Sequence, residues 1–206
     1  LEPFPAVLDR RPLVPGFSLY GRDFFEPEKP LFIFELIRGR DPLTSVLEQI
    51  MLPIIRHWVE CFLRFGFLLE PHGQNALLEI GADGEVARIV YRDLNLGIDC
   101  RRRRDLRLPV DRSNTYNQME GGDFNSITYD KFMGGHFFDR LVAALVEGMP
   151  GLNVEDFRGP CREEFARIFP EHRRYLPRTI QYFSEERDEF GKPLYQDTGQ
   201  PPAWRP

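Results

Sequence analysis

Six polar or charged side chains lie at two points of the sequence that a predicted β-hairpin would bring together. They are Glu70, His72, Gln74 and Asn75 in the stretch EPHGQN, and the adjacent pair Arg92 and Asp93. Carboxylates and an amide oxygen are ligands that a hard divalent cation such as Mg²⁺ accepts, and Mg²⁺ keeps room for nucleotide phosphates. Glu70, Asn75 and Asp93 are therefore a candidate metal-ligand set for phosphate chemistry.

The other polar residues of this region suit the binding of anions. His72 lies two residues after Glu70, so in an extended segment both side chains lie on the same side. It can donate a hydrogen bond to a phosphate oxygen or a carboxylate. Arg92 and the Arg101–Arg104 run can add contacts, because guanidinium groups bind both anions. Polar clusters at hairpin ends also serve only to satisfy turn backbone, and an arginine run also suits a solvated loop; both interpretations stay open.

The hairpin itself is predicted from two apolar segments around a polar turn. The segments are ALLEI (76–80) and VARIVY (86–91), and they flank GADGE. A tight turn at Asp83–Gly84 pairs Asn75 with Arg92. Asp93 then lies one residue beyond, beside the 70–75 cluster.

Helical periodicity is clearest over residues 45–65. Apolar pairs recur every four residues, and Ser45 with Glu48 matches a capping box. Pro53 predicts a kink or break, and Gly66 predicts the end of the helix.

The remaining elements are assigned from shorter patterns. LFIFELI (31–37) fits a buried strand, although a helix start also fits, and CRRRRDLRLPVDR (100–112) fits a basic loop or short strand. Two further helices are predicted at 135–148 and 154–168, and Gly159–Pro160 could divide the second. The polar tail 185–206 is predicted to be extended. The fold class is α+β, a small antiparallel sheet with a central hairpin packed by several helices.

Bulk composition indicates an ordinary globular protein. The 206 residues are 42% hydrophobic and carry a formal net charge of -5, which gives no general attraction to nucleic acid or anionic membrane. No apolar run has the length of a membrane span. The three cysteines are scattered, which indicates reduced thiols and a cytoplasmic protein. We expect a proline-rich, irregular lead-in with a short strand over 1–40, and one domain over 41–206.

Common nucleotide-enzyme motifs are absent, but one longer pattern is specific. The sequence contains no Walker-type, dinucleotide-binding, hydrolase-elbow or zinc-protease motif. The segment LEPHGQNALLEI…ARIVYRDLNLGID, with the preceding PIIRHWVECFLRFGF, resembles the C-terminal region of NRPS-independent siderophore synthetases of the aerobactin-synthetase type. That family carries E-x-H-G-Q-N, a hairpin and an Arg-Asp pair at this spacing.

The resemblance implies a palm- or thumb-like C-terminal part of a ligase that uses ATP and Mg²⁺. Such enzymes join a carboxylic acid, often citrate-like, to an amine, hydroxylamine or alcohol through an acyl-adenylate. It implies ATP and Mg²⁺ binding by Glu70, Asn75 and Asp93, with Gln74 in support. It also implies a catalytic contact from His72 to the carboxylate and phosphate, with Arg92 assisting.

Full-length members are much longer and have N-terminal motifs that these 206 residues lack. Since the chain starts at Leu1, we expect either a subdomain of a larger protein or a short family member, and no adenylation by this chain alone. The partner would be an N-terminal domain or a second copy in a homodimer. The alternative is a non-catalytic module that binds an iron chelate or a partner. A ferric-siderophore reductase is disfavoured, because its cluster needs four cysteines.

Overall fold

The computed structural model of the chain describes residues 11–93, 96–110 and 117–206. Within these ranges, helices pack with small β-sheets around a hydrophobic core. Trp58, Phe62, Phe137 and Phe165 are fully buried in that core. The architecture is α+β, as the sequence predicted.

Two continuous helical rods span residues 42–65 and 123–148, and the other helices are separate. In chain order they are α1 (Phe32–Leu36), α2 (Pro42–Val46), α3 (Leu52–Phe65), α4 (Cys100–Asp105), α5 (Asp123–Ser126), α6 (Asp139–Gly148) and α7 (Val154–Ile168). π-Helical segments at Leu47–Met51 and Ile127–Phe138 join α2 to α3 and α5 to α6. Short 3₁₀ helices span Gly16–Leu19 and His172–Arg174.

The strands form three small sheets. They are β1 (Leu13–Pro15), β2 (Phe67–Leu68), β3 (Ala76–Ile80), β4 (Val86–Tyr91), β5 (Gly97–Asp99), β6 (Gln118–Met119), β7 (Gln181–Arg187) and β8 (Pro193–Asp197). The first sheet has the order β1-β3-β4 and is antiparallel. The second has the order β2-β5-β6, with an antiparallel and a parallel pair, and β7 pairs with β8 as a hairpin.

The predicted hairpin is confirmed, with one local difference at its turn. The backbone reverses through a turn in which Gly84 N–H donates to the Gly81 carbonyl at 3.0 Å, and Gly84 has φ 76°. That turn is longer by one residue than the predicted Asp83–Gly84 turn. An irregularity beside Ile80, which pairs with Val86, offsets the difference. The far end therefore keeps the predicted register.

The first rod confirms the predicted long helix but begins earlier. Asp41, not Ser45, is the N-cap of α2, and its carboxylate accepts the Thr44 N–H at 2.7 Å. The predicted irregularity at Pro53 takes the form of the π-helical segment just before it, because proline has no N–H to donate to the preceding turn. The rod ends where predicted, with Gly66 in the left-handed conformation at φ 65°.

Two segments are helical: for residues 31–37 the structure selects the helix over the buried strand, and for residues 100–105 the prediction of a loop or strand was wrong. Residues 32–36 form α1, since burial recurs at Ile33, Leu36 and Ile37, a helical spacing. Residues 100–105 form α4, because the Asp99 carboxylate caps the Arg102 N–H at 2.7 Å. The part of that prediction at 111–112 lies outside the described residues.

The second half of the chain is more ordered than its sequence suggested. The predicted 135–148 helix starts instead at Asp123, and the predicted helix 154–168 is confirmed without division, capped by Asn153. The tail predicted to be extended contains the β7–β8 hairpin. Its last part is anchored by Trp204, which is 1% exposed.

Candidate functional site

The EPHGQN stretch forms a compact turn that enters β3. The His72 carbonyl accepts the N–H groups of Asn75 and Ala76 at 2.9 and 3.0 Å. The Gly73 carbonyl accepts the Phe17 N–H at 2.9 Å, and a Cβ at Gly73 would lie 2.6 Å from the Tyr20 hydroxyl. Only glycine fits this approach, so the 3₁₀ helix at 16–19 fixes the turn that carries the polar side chains.

The hairpin register brings the two parts of the motif together as predicted. Ala76 pairs with Tyr91, and the Arg92 N–H donates to the Asn75 carbonyl at 3.1 Å. Asp93 follows in the left-handed conformation at φ 58°, which aspartate tolerates better than most residues. Its charge lies close enough to raise the pKa of Glu70.

The side chains of Glu70 and Asn75 have oxygens without protein partners. Asn75 is 5% exposed and Glu70 is half-buried. Within the described residues, neither side chain forms a hydrogen bond or an ion pair. Burial, and then the charge of Asp93, raises the pKa of Glu70. Neither side chain is among the fully buried polar groups that lack a partner, so their oxygens reach solvent and are accessible to a ligand.

The donor set fits a hard cation that shares its shell with other ligands. Glu70 and Asp93 supply carboxylates and Asn75 an amide oxygen, which suits Mg²⁺ with waters and phosphates completing the shell. Among the described residues, no group of three or more His, Cys, Asp or Glu side chains is placed to hold a metal ion alone. A metal site built on these residues would therefore use the Asn75 amide as its third protein ligand.

His72 is oriented as a hydrogen-bond donor. Its Nδ1 accepts the Gln74 N–H at 3.3 Å, so the neutral ring carries its proton on Nε2. Burial, and then His136, lowers the pKa of His72, with Asp93 opposing and Arg92 adding to the effect. A neutral Nε2–H can donate to a phosphate or carboxylate oxygen.

Two cavities meet at the ring of Phe132. The first, which we call the aromatic cavity, has a volume of about 270 Å³ and is lined by Glu70 together with Phe124, Phe132 and Phe183. The second, which we call the histidine groove, has a volume of about 370 Å³. Its lining residues are Phe17, Tyr20, His72, Gly73, Gln74, Phe132 and His136. Glu70 and His72 therefore face different spaces, with Phe132 common to both.

Arg92 and Gln74 are both exposed. Neither makes an ion pair or a side-chain hydrogen bond within the described part of the chain. Their side chains are available to a ligand at the hairpin end, and their assigned roles stay predictions.

The Arg101–Arg104 run is engaged elsewhere. Arg102 donates to the Leu63 carbonyl from Nε at 3.0 Å and from Nη2 at 2.6 Å, and Arg103 donates to the Phe65 carbonyl at 2.9 Å. Arg101 donates to the Tyr175 carbonyl, and Arg104 pairs with Glu120. Arg102 and Arg103 thus stabilise the C-terminal end of α3. The run lies on helix α4, so the loop interpretation was wrong, and the anion contacts stay a prediction.

The sequence interpretation missed the aromatic walls and His136. Phe124, Phe132 and His136 come from the α5–π-helix rod, and Phe183 comes from β7. The only signal was a high aromatic content, 13% with 18 phenylalanines. Their spacing gave no indication that they would surround Glu70.

Solved structures of siderophore-synthesis proteins share this fold. The petrobactin biosynthesis protein AsbB from Bacillus anthracis str. Sterne superimposes with a TM-score of 0.66 at 17% identity, over 86% of this chain and 32% of that protein. Aerobactin synthetase IucC from Klebsiella pneumoniae gives 0.59 at 14% identity, over 80% and 30%. IucA from the same organism gives 0.59 at 12% identity, over 87% and 36%. The chain thus spans about a third of these proteins and has the fold of the C-terminal part of such synthetases.

A family match covers more than half of the chain. Residues 54–184 match the family described as ferric iron reductase FhuF-like transporter, and the chain belongs to this family. The match begins inside α3 and ends in β7, so it includes both halves of the polar site. No curated protein sequence matches the chain.

Proposed function

We propose that this chain is the ATP-, Mg²⁺- and carboxylate-binding part of an ATP-dependent siderophore synthetase. In the proposed reaction a carboxylate oxygen attacks the α-phosphorus of ATP and pyrophosphate leaves. The nitrogen or oxygen of an amine, hydroxylamine or alcohol then attacks the acyl carbon, and AMP leaves. Such chemistry depends mostly on positioning and on neutralising phosphate charge.

One observation carries the proposal: the hairpin register brings Asp93 next to the side chains of Glu70 and Asn75, which lie 18 or more positions earlier in the chain. Glu70 and Asn75 precede β3 and Asp93 follows β4, yet Asp93 acts on the pKa of Glu70. Two carboxylates without a protein cation between them favour a bound metal ion. In this proposal Glu70, Asn75 and Asp93 hold Mg²⁺, which would neutralise charge on the phosphates of ATP.

The other site residues act on the anions themselves. His72 donates from Nε2 to the substrate carboxylate or adjoining phosphate oxygen, and Arg92 assists as a cationic contact, with Gln74 in support. Support for ATP comes from a fourth similar structure, titled as ATP-bound aerobactin synthetase IucA, with a TM-score of 0.53 at 14% identity.

Isothermal titration with Mg-ATP tests the metal and nucleotide part. We expect the parent chain to bind, and Glu70→Ala and Asp93→Ala each to weaken binding at least tenfold. Glu85→Ala is the matched control, because Glu85 is an exposed carboxylate at the opposite end of the same hairpin, 3.4 Å from Arg40. Equal affinity in the parent and both site variants would contradict the proposal.

The second candidate is a non-catalytic module that binds an iron chelate or a partner protein. The description of the family, which names ferric iron reduction, favours a role close to iron. Reduction through a four-cysteine cluster is disfavoured, since these 206 residues contain only Cys61, Cys100 and Cys161. Trapping with hydroxylamine, applied to the chain joined to the expected N-terminal domain, separates the candidates: an acyl hydroxamate formed from citrate and Mg-ATP supports the ligase, and ferric citrate binding without hydroxamate supports the module.

The setting of the activity is part of the same proposal. We place the protein in the cytoplasm, acting on small molecules with no nucleic-acid or membrane partner, as a homodimer or with an N-terminal domain. Within the described ranges, no helix combines the length and apolar character that a membrane crossing needs.

A further inference from the structure

Another cavity, which we call the arginine cavity, has a volume of about 690 Å³ and shares no lining residue with the aromatic cavity or the histidine groove. Four arginines line it: Arg162, Arg173, Arg178 and Arg205. The rest of its lining is Leu176 and prolines, so no carboxylate side chain lines it among the described residues. The proposed function uses none of these residues.

The most buried charge of the arginine cavity is held rigidly. The side chain of Arg205 is 2% exposed, and its Nε and Nη2 donate to the Asp130 carboxylate at 3.0 and 2.9 Å. Nη2 also donates to the Pro177 carbonyl at 2.8 Å. Within the described residues, Nη1 forms no hydrogen bond, and it is not one of the fully buried atoms that lack a partner. It therefore reaches the cavity as a donor in a fixed position.

The cavity keeps positive charge after its ion pairs are counted. The carboxylates of Asp130 and Glu155 pair with two of the four arginines, at 2.9 and 3.1 Å. Arg173 and Arg178 are exposed, and neither forms an ion pair or a side-chain hydrogen bond within the described part of the chain. Pro206 also lines the cavity, and among the described residues no ion pair joins it to these arginines. Two guanidinium groups are therefore available to an anion.

The positions of the arginines favour a phosphoryl group over a carboxylate. Arg162 lies on α7, Arg173 and Arg178 lie on either side of Leu176, and Arg205 comes from the tail, so the donors come from several directions. A phosphoryl group presents three oxygens around a tetrahedron, whereas the two oxygens of a carboxylate lie in one plane and match one guanidinium fork.

We propose that the arginine cavity binds the phosphoryl group of a small organic phosphate, at a site separate from the Mg²⁺ site at the hairpin end. The cavity has the size of a small-molecule site and is larger than a phosphate ion needs. Leu176 and the prolines give apolar surface for the organic part of the ligand. The inference does not depend on the proposed function, since the two sites share no residue.

Three probes with one phenyl ring each test the cavity on the parent chain: phenyl phosphate, phenyl sulfate and phthalate. They are titrated at pH 7.5 in EDTA, so that no Mg²⁺ holds a phosphate at the hairpin end, and are followed by the NMR signals of the arginine Nε–H groups. Phenyl phosphate is mostly a dianion at this pH, because its second pKa is about 6. Phenyl sulfate has the same shape with one charge fewer, and phthalate has two charges on planar carboxylates.

We expect phenyl phosphate to bind at least fivefold more tightly than either of the other probes. Equal binding of phenyl sulfate would show that the second charge is not recognised, and equal or tighter binding of phthalate would show a carboxylate site. Either result, or no binding of phenyl phosphate, would overturn the proposal.

Variants then locate the site. The double variant Arg173→Gln with Arg178→Gln should bind phenyl phosphate at least tenfold more weakly, because it removes both available guanidinium groups. Arg38→Gln is the matched control, since Arg38 is exposed, lies outside the cavity and has no ion pair among the described residues. The single variants, each expected to weaken binding about threefold, replace the double variant if it does not fold. Unchanged binding of phenyl phosphate in the folded variants would overturn the proposal.

Discussion

Two polar clusters in this molecule each contain a carboxylate but differ in how it is bonded. In the first, the side chains of Asp130 and Arg205 are 1% and 2% exposed and form a bidentate ion pair, with Ser126 donating to the same carboxylate at 2.6 Å. In the second, at the hairpin end, Glu70 and Asn75 have no partner among the described residues. The hydrogen bonds of the first cluster stabilise the fold, and in the proposed function the groups of the second cluster bind a ligand.

The comparison shows that the bonding of a polar group, more than its identity or burial, indicates its role. Asn75 at 5% exposed is nearly as buried as Asp130 at 4%. A buried group with full bonding rigidifies the structure, while a group that reaches solvent without a protein partner is available to a ligand. Mutations at the bonded cluster should therefore lower stability, whereas mutations at the hairpin end should weaken ligand binding with little loss of stability.

The largest expected effect is on stability, at the bonded cluster. Arg205→Met leaves the Asp130 carboxylate buried and unpaired, and should lower the free energy of unfolding by about 3–5 kcal/mol. Urea denaturation followed by circular dichroism measures it. The control is Arg178→Met, because Arg178 is exposed; it should change the free energy of unfolding by less than about 0.5 kcal/mol. Similar losses of unfolding free energy in the two variants would contradict the structural role assigned to the Asp130–Arg205 pair.

The same contrast applies to two arginines. Arg102 donates twice to the Leu63 carbonyl at the end of α3, whereas Arg92 is exposed without an ion pair in the described part. Arg102→Met should cost about 1.5–3 kcal/mol of unfolding free energy, the range for hydrogen bonds to charged groups. Arg92→Met should cost almost none and should instead weaken Mg-ATP binding. A stability loss at Arg92 equal to that at Arg102 would contradict this assignment.

Much of the fold could be predicted where the signal is local. The β3–β4 hairpin follows from period-two alternation around a glycine turn, and that register alone placed Arg92 opposite Asn75. Helix α7 and the Gly66 terminus follow from caps within a few residues. These features need no knowledge of the rest of the chain.

The errors arise where distant contacts decide the structure. The β7–β8 hairpin is polar and lacks alternation, yet the Gln181 N–H donates to Ser126 and anchors its start. The anchoring of Trp204 depends on Tyr129, which lies 75 positions earlier in the chain. The Tyr129 hydroxyl donates to the Trp204 carbonyl. The aromatic cavity joins residues of α5, the π-helix and β7 for the same reason. No local pattern of sequence contains such information.

A smaller effect on stability is expected from the half-buried charge of Glu70 at the hairpin end. The pKa of folded Glu70 is raised by burial and then by Asp93, so its ionisation opposes folding. The folded state is therefore favoured below the ordinary glutamate pKa, and this contribution is lost as pH rises through the raised value. Glu70→Gln should match the parent near pH 4 and exceed it near pH 7, by less than about 1 kcal/mol because Glu70 is half-exposed. Urea titrations at both pH values test the sign; a variant less stable than the parent at pH 7 would show that Glu70 has a stabilising partner.

The smallest effect is a change in the titration of His72. Burial, and then His136, lowers its pKa, so NMR should give a midpoint below the ordinary value of 6.5, and ¹⁵N shifts should show the proton on Nε2. Mg-ATP adds phosphate charge beside the ring, which favours the protonated form, so the midpoint should rise when Mg-ATP binds. The midpoint of His172, buried against Phe165 at the other cluster, should stay constant and serves as the internal control. A His72 midpoint that ignores Mg-ATP while the nucleotide binds would remove this imidazole from the phosphate side of the site.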